Sequence, residues 1–199
     1  RGNLFFEITR IMKEKRPRIA FFENVKNLVS HDNGNTFRVI CEELDKLGYK
    51  YLFQVMNGSE YGDVPQNRER IYIVAFRDKE DYANFKLPSS VPLTRTIKDV
   101  IDFDSKQDAK YYYTPDKCKF YDMLEENMQT SDTVYQWRRK YVRANKSNVV
   151  PTLTANMGTG GHNVPLIRMH NGEFRKLTPR ECFNVQGFPS DFKLAEQSN

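Results

Sequence analysis

Cysteine, histidine and tryptophan are scarce in this 199-residue sequence, which has three, three and one of them. The cysteines, Cys41, Cys118 and Cys182, are widely spaced and form no Cys-x-x-Cys pair. An odd number of cysteines at such spacings excludes a disulfide scaffold. The histidines are scattered as well, so we expect no metal site. A reducing cytoplasm is the compartment that this cysteine usage indicates.

Long hydrophobic runs are also absent. No stretch comes near the roughly 18 consecutive apolar residues of a transmembrane helix, and the mean hydropathy is −0.72. The sequence begins with Arg1-Gly2-Asn3-Leu4, which is neither an initiator methionine nor a signal peptide. We therefore expect a chain that begins inside a larger protein. Wholesale disorder is excluded because 39% of the residues are hydrophobic and there are 14 Phe and 11 Tyr.

Positive charge is only mildly in excess. There are 31 Lys+Arg and 26 Asp+Glu, a net charge of +5, and the pI is about 9.0. Such a sum fits one or two ordinary globular domains, and it points to nucleic acid only where the basic residues cluster. One cluster with interleaved aromatic residues lies at 138–143, and its basic members are Arg138, Arg139, Lys140 and Arg143.

The first 88 residues have the hydrophobic pattern of an α/β fold. Apolar residues at helical spacing predict helices over 3–15 and 36–47. Aliphatic and aromatic runs predict strands over 49–55 and 71–76. The continuous apolar run Ile19–Phe22 predicts a strand buried on both faces. The order α-β-α-β-β indicates part of an α/β sheet.

The pattern changes after residue 88. Prolines, aspartates and a run of three tyrosines interrupt any long periodicity, and residues 105–175 are typical of a separate, loop-rich, mainly β module. Near the end, Thr178, Pro179 and Glu181 have the spacing of a capping box with proline at the first helical position. They predict a short helix that ends at Gly187.

Glu23 and Asn24 are the first candidate site residues, because they follow the apolar run of the first strand. Ligands of open α/β sheets bind beyond the carboxyl ends of the strands, where a carboxylate can give or share a proton. The alternative is an acid at a strand end that is simply solvated.

The second candidate segment is Pro65–Arg70, which leads directly into the apolar strand 71–76. In an uninterrupted strand Gln66, Arg68 and Arg70 would share one face. Two guanidinium groups on one face suit a phosphate or the carbonyl oxygen of a base. The alternative is an edge strand with solvated charges.

The third candidate segment is 150–161, which combines Thr, Asn and a cluster of glycines. Small residues let the backbone approach a partner closely, and Thr and Asn side chains can hydrogen-bond phosphates or base edges. Hairpin turns use the same residues, so the cluster alone leaves both interpretations open. No Gly-Lys-Ser/Thr follows, which excludes a phosphate-binding P-loop.

In combination and in order, these segments resemble the cytosine C5-specific DNA methyltransferases of bacterial restriction–modification systems. Glu23-Asn24-Val25 is similar to that family's Glu-Asn-Val motif, and Gln66-x-Arg68-x-Arg70 to its Gln-x-Arg-x-Arg motif. Thr152-Leu153 resembles a pair inside its recognition domain. Its domain-orienting motif is similar to the segment that contains Arg175, Arg180, Glu181 and Gly187.

The resemblance implies a fold and a domain organisation. Residues 1–88 would be the second half of a Rossmann-like, S-adenosylmethionine-dependent catalytic domain. Residues 89–175 would be a smaller, loop-rich, mainly β target-recognition domain. Residues 176–199 would carry the orienting motif and a short helix that returns to the catalytic domain.

The resemblance also implies a reaction. Enzymes of this family flip the target cytosine out of duplex DNA, add a thiolate to C6 and transfer the methyl group of S-adenosylmethionine to C5. Glu23 would bind the N3 edge of the cytosine, Arg70 with Arg68 its carbonyl oxygen and the flanking phosphate, and Asn24 would hold the loop at the strand end. The residues expected to contact DNA are Gln66, Thr152, Leu153, Asn156, Gly158, Gly160, Gly161, Arg138, Arg139 and Arg143.

Parts of the family pattern are missing from these residues. There is no Pro-Cys-Gln tripeptide to supply the nucleophile and no glycine-rich loop after a first strand for S-adenosylmethionine. None of the three cysteines occupies the nucleophile position. We therefore expect the chain alone to be inactive and most of the cofactor site to lie outside it.

The expected partners are double-stranded DNA and the missing N-terminal half of the enzyme, with no membrane. The complete enzyme would be a monomer in the bacterial cytoplasm, associated with the nucleoid. Three alternatives remain: an RNA cytosine C5-methyltransferase of similar fold, a non-catalytic DNA-binding module, and a basic α/β domain that binds an acidic protein.

Overall fold

The computed structural model describes residues 3–138, 140–145, 147–155, 157 and 164–195. The helices and strands in chain order are α1 Asn3–Lys15, β1 Ile19–Val25, α2 Asn35–Lys46, β2 Lys50–Asn57, α3 Gly58–Tyr61, β3 Gln66–Asn67, β4 Glu69–Phe76, α4 Lys79–Asn84, β5 Tyr112–Tyr113, α5 Tyr121–Asn127, β6 Tyr135–Trp137, β7 Val142–Ala144, β8 Val150–Pro151, β9 Val164–Arg168, β10 Phe174–Lys176 and α6 Pro179–Val185. Among the described residues, no helix combines the length and the apolar character needed to cross a membrane.

Contacts divide the chain into two compact units. The first comprises residues 1–56 and 69–90, and the second residues 57–68 and 91–199. The first contains a three-stranded sheet in the order β1-β4-β2. The second contains a five-stranded sheet in the order β5-β10-β9-β6-β7 and the short pair β3-β8. The mixed α/β character that the sequence predicts is confirmed.

The core of the first unit lies between its sheet and the helices α1 and α2. Met12 of α1 and Leu44 of α2 pack in one buried cluster with Ile71 and Ile73 of β4. The apolar spacing that predicts both helices is thus the spacing of their buried faces. The predicted boundaries of α1 are confirmed, and α2 begins and ends one residue earlier than predicted.

The prediction that the first strand is buried on both faces is wrong. Ile19 is 50% exposed and Phe21 is 64% exposed. The reason is the position of β1 at the edge of the three-stranded sheet, where it pairs antiparallel with β4. Ala20 and Phe22 alternate with these residues and pack against the helical core. β1 also continues to Val25, so Glu23 and Asn24 lie within the strand rather than after it.

The second unit has a core on each face of its five-stranded sheet. Along β9 the side chains alternate, and Ile167 packs in one buried cluster while Val164 and Leu166 pack in the other. Residues 112–176 supply all five strands, as expected for a mainly β module over 105–175. The capping box of α6 is confirmed: Thr178 Oγ1 accepts the N–H of Glu181 at 3.2 Å, and the Glu181 carboxylate accepts the N–H of Thr178 at 2.8 Å.

Candidate functional site

Glu23 and Arg70 form an ion pair across neighbouring strands of the first unit. Val25 lies opposite Arg70 in the β1–β4 register, and Glu23 lies opposite Tyr72. Glu23 and Arg70 are therefore diagonal neighbours on one face of the sheet, within reach of long side chains. Glu23 Oε1 is 2.9 Å from Arg70 Nε, with the carboxylate 46% and the guanidinium 15% exposed. The pair joins the Glu-Asn-Val segment to the last arginine of the Gln-x-Arg-x-Arg segment.

The neighbouring contacts hold this pair in place. Arg70 Nη1 donates to the carbonyl oxygen of Glu69 at 2.8 Å, and the Glu69 carboxylate accepts from Lys26 Nζ at 2.7 Å. Asn24 is exposed, and its side-chain oxygen accepts the N–H of Val25 at 2.8 Å. A half-exposed carboxylate beside an oriented guanidinium can bind a ligand that offers both donors and acceptors.

A cavity of about 490 Å³ adjoins Glu23 in the first unit. Glu23, Asn24, Asn35 and Thr36 are its polar residues, and the rest of the lining is apolar, from α1, β1, α2 and their neighbours. No cationic side chain is among its described lining residues, and the one carboxylate among them, that of Glu23, is already paired with Arg70. S-adenosylmethionine carries an amino-acid carboxylate, for which the described lining offers neutral donors but no counter-charge, so this lining does not fit that cofactor by itself.

The Gln-x-Arg-x-Arg segment does not form one continuous strand. Gln66 lies in β3, Arg70 lies in β4, and Arg68 lies between the two strands. The expectation of one uninterrupted strand through the three residues is therefore wrong, because the strand is interrupted at Arg68. Gln66 and Arg68 belong to the second unit and Arg70 to the first.

Gln66 is held inside the second unit. It is 2% exposed, and its amide nitrogen has no hydrogen-bond partner among the described residues. β3 pairs parallel with β8, with Gln66 opposite Val150. Its contact with DNA stays a prediction, and the observed environment is internal.

Arg68 connects β3 to the Thr152-Leu153 segment. Its Nη1 donates to the carbonyl oxygen of Leu153 at 3.4 Å, and Thr152 Oγ1 donates to the carbonyl oxygen of Asn67 at 2.6 Å. Arg68 and Leu153 line a cleft of about 660 Å³ in the second unit. Leu153 itself is buried, and Thr152 is partly buried.

The basic cluster is only partly within the described chain. Arg143 is exposed in β7, and its Nη2 donates to Gln136 Oε1 at 3.2 Å. Arg138 is partly buried, and its Nε has no partner among the described residues. The predicted DNA contacts that lie outside the described residues are Arg139, Asn156, Gly158, Gly160 and Gly161.

The orienting motif forms a buried network in the second unit. Arg175 pairs with Glu181 through two contacts, Nη1–Oε2 at 2.8 Å and Nη2–Oε1 at 2.7 Å. Arg180 Nη2 donates to the carbonyl oxygen of Phe192 at 2.7 Å. Gly187 follows α6 with φ +86°, a conformation that favours glycine. All four residues predicted for this motif thus lie at or beside α6.

Neither Cys118 nor Cys182 has the surroundings of an activated thiol. Burial raises the pKa of the Cys118 thiol, and burial together with Glu181 raises the pKa of Cys182 to about 11. Cys41 lies in α2, beside the buried Ile40. A nucleophilic cysteine requires a lowered pKa or an adjacent base.

Among the described residues, no group of three His, Cys, Asp or Glu side chains is suited to hold a metal ion.

A family model described as C-5 cytosine-specific DNA methylase matches residues 1–199. The chain belongs to this family. Among curated relatives, the Type II methyltransferase M.Bsp6I of Bacillus sp. (strain RFL6) is 62% identical over 195 residues, which are 98% of this chain and 62% of that protein. M.HhaI of Haemophilus parahaemolyticus is 37% identical over 207 residues, 98% of this chain and 60% of the relative. The chain thus spans about 60% of the length of these two relatives.

Solved structures show the same fold at low sequence identity. A DNMT2 mutant from Spodoptera frugiperda is 17% identical with a TM-score of 0.62, covering 98% of this C-5 cytosine methylase chain and 63% of the other. The S. pombe Dnmt2 methyltransferase is 16% identical with a TM-score of 0.55, covering 97% and 62%. These likenesses support the mixed α/β fold of the family member described above.

Three residues of the 660 Å³ cleft were missed by sequence reasoning. Lys110, Tyr111 and Lys176 line it together with Arg68 and Leu153. Lys176 lies inside the predicted orienting motif but is not among the residues expected to contact DNA, and its contact with Tyr111 joins distant parts of the sequence. Tyr111 belongs to the tyrosine run 111–113, which by itself indicates only a break in periodicity.

Proposed function

We propose that this family member is the base-holding and DNA-reading part of a Type II DNA cytosine C5-methyltransferase. The complete enzyme would transfer a methyl group from S-adenosylmethionine to C5 of a flipped cytosine within a specific duplex site. Membership of the C-5 cytosine-specific DNA methylase family supports the reaction class. The names of the curated relatives, all Type II methyltransferases, support the restriction–modification context.

The observation that carries the proposal is the Glu23–Arg70 pair. It brings two motif segments to one sheet face, with Oε1 and Nε 2.9 Å apart. A carboxylate there accepts from the exocyclic amino group of cytosine and, when protonated, donates to N3. The guanidinium next to it can donate to the base's carbonyl oxygen. Together the two groups match the hydrogen-bonding edge of cytosine, which offers a donor at N4 and acceptors at N3 and O2.

The two compact units suit the two roles. The unit that contains Glu23 and Arg70 would belong to a Rossmann-like catalytic domain, which we expect over residues 1–88. The unit that contains the five-stranded sheet would be the target-recognition domain, expected over 89–175. Residues 57–68 and the described part of 176–199 group with the five-stranded unit. We therefore propose that the Arg68 end of the Gln-x-Arg-x-Arg segment serves recognition and the Arg70 end serves the base.

The thiolate of the reaction would come from a segment other than these 199 residues. The raised pKa of Cys118 and Cys182 keeps both thiols protonated at neutral pH. The cavity beside Glu23 lacks a cationic group for the carboxylate of S-adenosylmethionine. Most of the cofactor site would therefore also lie elsewhere. The substrate is double-stranded DNA, and the complete enzyme would be a monomer that acts at the nucleoid of a bacterial cell.

A fusion protein tests this function. The chain is joined to the part of the Bacillus relative that it does not cover, and the fusion is incubated with tritiated S-adenosylmethionine and duplex DNA. We expect labelled DNA with the fusion and none with the chain alone. Glu23→Gln in the fusion should abolish the label, whereas Glu42→Gln, which alters an exposed carboxylate of the same unit, should retain it.

Each other outcome has a defined meaning. Label transferred by the chain alone would contradict the assignment of the nucleophile to another segment. A fusion that binds duplex DNA but transfers no label would contradict the activity. Preference for tRNA over duplex DNA in a competition assay would favour the RNA methyltransferase alternative.

A further inference from the structure

The cleft of about 660 Å³ in the second unit has a basic rim. Arg68, Lys110 and Lys176 line it, and no Asp or Glu side chain is among its described lining residues. Its floor is apolar, with Leu153, Leu177 and Phe183 among the lining residues. A concave surface with several cations and an apolar floor is suited to a polyanion that also has apolar parts.

Strand pairing places Tyr111 and Lys176 side by side. β10 pairs antiparallel with β5, with Phe174 opposite Tyr113 and Arg175 opposite Tyr112. Tyr111 ends the short 3-10 helix that precedes β5, and Lys176 Nζ is 6.0 Å from the centroid of its ring. A cation at this distance from a tyrosine ring is attracted by the negative face of the ring.

A second ammonium group contacts the same ring. Lys110 Nζ is 5.5 Å from the Tyr111 centroid and 3.5 Å from Asp108 Oδ2. Tyr111 thereby holds two positive charges at one edge of the cleft. Asp108 is paired with one of them, the ammonium group of Lys110. Two neighbouring cations bind an anion between them more strongly than either would alone, because their potentials add.

The backbone next to Lys176 is fixed. Arg175 is fully buried, and its guanidinium is held by Glu181, by the carbonyl oxygen of Lys176 and by Asp102. Because side chains alternate along a strand, this anchoring of Arg175 inward directs Lys176 to the opposite face. A ligand-binding group on an anchored strand is positioned more accurately than one on a free loop.

We propose that Lys176 and Lys110, positioned by Tyr111, bind the phosphodiester backbone of duplex DNA at the rim of this cleft. The proposal rests on the DNA-binding function proposed above and extends it to side chains that are not among the residues expected to contact DNA. Leu153 and Thr154 also line the cleft, so the phosphate contact would be continuous with the predicted Thr152-Leu153 contact. Tyr111 is a positioning residue here, because it acts through the two lysines.

Salt-dependent DNA binding by the full chain tests the proposal. Anisotropy of a fluorescent duplex is measured across a series of salt concentrations for the wild type, Lys176→Gln and Lys119→Gln. Lys119 is an exposed lysine of the same unit that does not line the cleft, so its variant removes the same charge elsewhere. Losing one phosphate contact should reduce the slope of log K against log[salt] by about 0.9 and weaken binding roughly fivefold at physiological salt.

Tyr111 gives a second, independent readout. Tyr111→Phe keeps the ring and should keep the wild-type salt slope, whereas Tyr111→Leu should reduce it. Thermal unfolding of every variant verifies that the fold is retained. Tyr111→Leu with an unchanged slope would show that the ring does not position the lysines.

The remaining outcomes separate this proposal from the function on which it rests. A wild type that binds no duplex DNA would overturn both. Wild-type binding with equal slopes for Lys176→Gln and Lys119→Gln would overturn only the phosphate site. A slope that changes for tRNA but not for duplex DNA would assign the same lysines to RNA and contradict the proposal.

Discussion

Arg175 and Glu181 form a doubly bonded ion pair in the interior of the second unit. Their side chains are 0% and 6% exposed, and both guanidinium–carboxylate contacts are shorter than 3 Å. Glu181 also accepts the N–H of Asp102 at 3.0 Å, and Arg175 donates to the carbonyl oxygen of the same residue. The pair thus joins β10, α6 and the segment that follows Ile97–Asp99.

Removing one member of this pair should destabilise the chain strongly. Arg175→Leu leaves a buried carboxylate without its counter-charge, which costs about 3–5 kcal/mol of unfolding free energy. Urea denaturation measures the loss. Arg38→Leu, which breaks the exposed pair with Glu42, is the control and should cost only about 0.5 kcal/mol.

The double variant separates the effect of the buried charges on stability from the effect of side-chain packing. Arg175→Leu combined with Glu181→Leu removes both buried charges and should be less destabilising than the sum of the two single changes. If the loss of unfolding free energy in the double variant equals the sum of the two single losses, the two charges do not stabilise each other.

A side chain at Gly187 should lower the stability of the fold because of the backbone conformation there, and not because of a steric clash. Its φ is +86°, and a Cβ there would be 3.5 Å from Val64 Cγ2, an ordinary contact. Gly187→Ala should therefore cost only the backbone energy, about 1–2 kcal/mol, in thermal or urea unfolding. Gly58→Ala places its Cβ at a comparable 3.4 Å from the Gln66 carbonyl oxygen without a positive φ, and it should change stability by less than about 1 kcal/mol.

Cys182 should be slow to alkylate in the folded chain. Burial, with a smaller effect of Glu181, raises its pKa to about 11. At pH 8 its thiolate fraction is then roughly two orders of magnitude below that of an ordinary thiol. Mass spectrometry of the Cys182 peptide after timed iodoacetamide treatment measures the rate. Equal rates in native buffer and in urea would contradict this prediction.

His170 should make the stability of the second unit depend on pH. Its Nδ1 is 2.7 Å from Asp104 Oδ1 and its Nε2 is 2.9 Å from Asp132 Oδ1, and these contacts, that of Asp104 first, raise its pKa. Lys98 Nζ, 2.7 Å from Asp132 Oδ2, is the other charge at this cluster. A raised pKa in the folded state stabilises the fold fully below the unfolded value of about 6.5, and the stabilisation is lost as pH rises through the folded value.

Melting temperatures across this pH range test that prediction. The wild type should exceed His170→Asn by more at pH 6 than at pH 9. Lys106→Gln, an exposed change in the same unit, should shift the melting temperature equally at both pH values. A constant difference between wild type and His170→Asn would show that the imidazolium is not what stabilises the cluster.

Local sequence patterns predicted local structure well. The boundaries of α1 and the capping box of α6 follow from spacing and from one side chain's contact with its own backbone, so few distant residues affect them. The burial of β1 depends instead on which strands flank it, and the run Ile19–Phe22 is the same whether the strand is central or at an edge.

In the candidate site, too, residues could be predicted from local motifs, whereas contacts between distant segments could not. Glu23 and Arg70 could be named from motifs, but their 2.9 Å contact depends on the antiparallel register of β1 and β4. The break at Arg68 was not predicted, because a parallel pairing with Val150-Pro151, more than 80 residues away in sequence, competes with strand continuity. Lys176 lies inside the predicted orienting motif and Tyr111 inside the tyrosine run 111–113, but neither pattern predicts that the two side chains meet.

The edge position of β1 has a consequence for handling the protein. The seven residues Ile-Ala-Phe-Phe-Glu-Asn-Val contain no proline and a single charge, and Ile19, Phe21 and Val25 are about half exposed or more. An apolar strand with a free edge is a template for another strand, including the same strand of a second molecule. We therefore expect this seven-residue segment to promote self-association of the chain in concentrated solution.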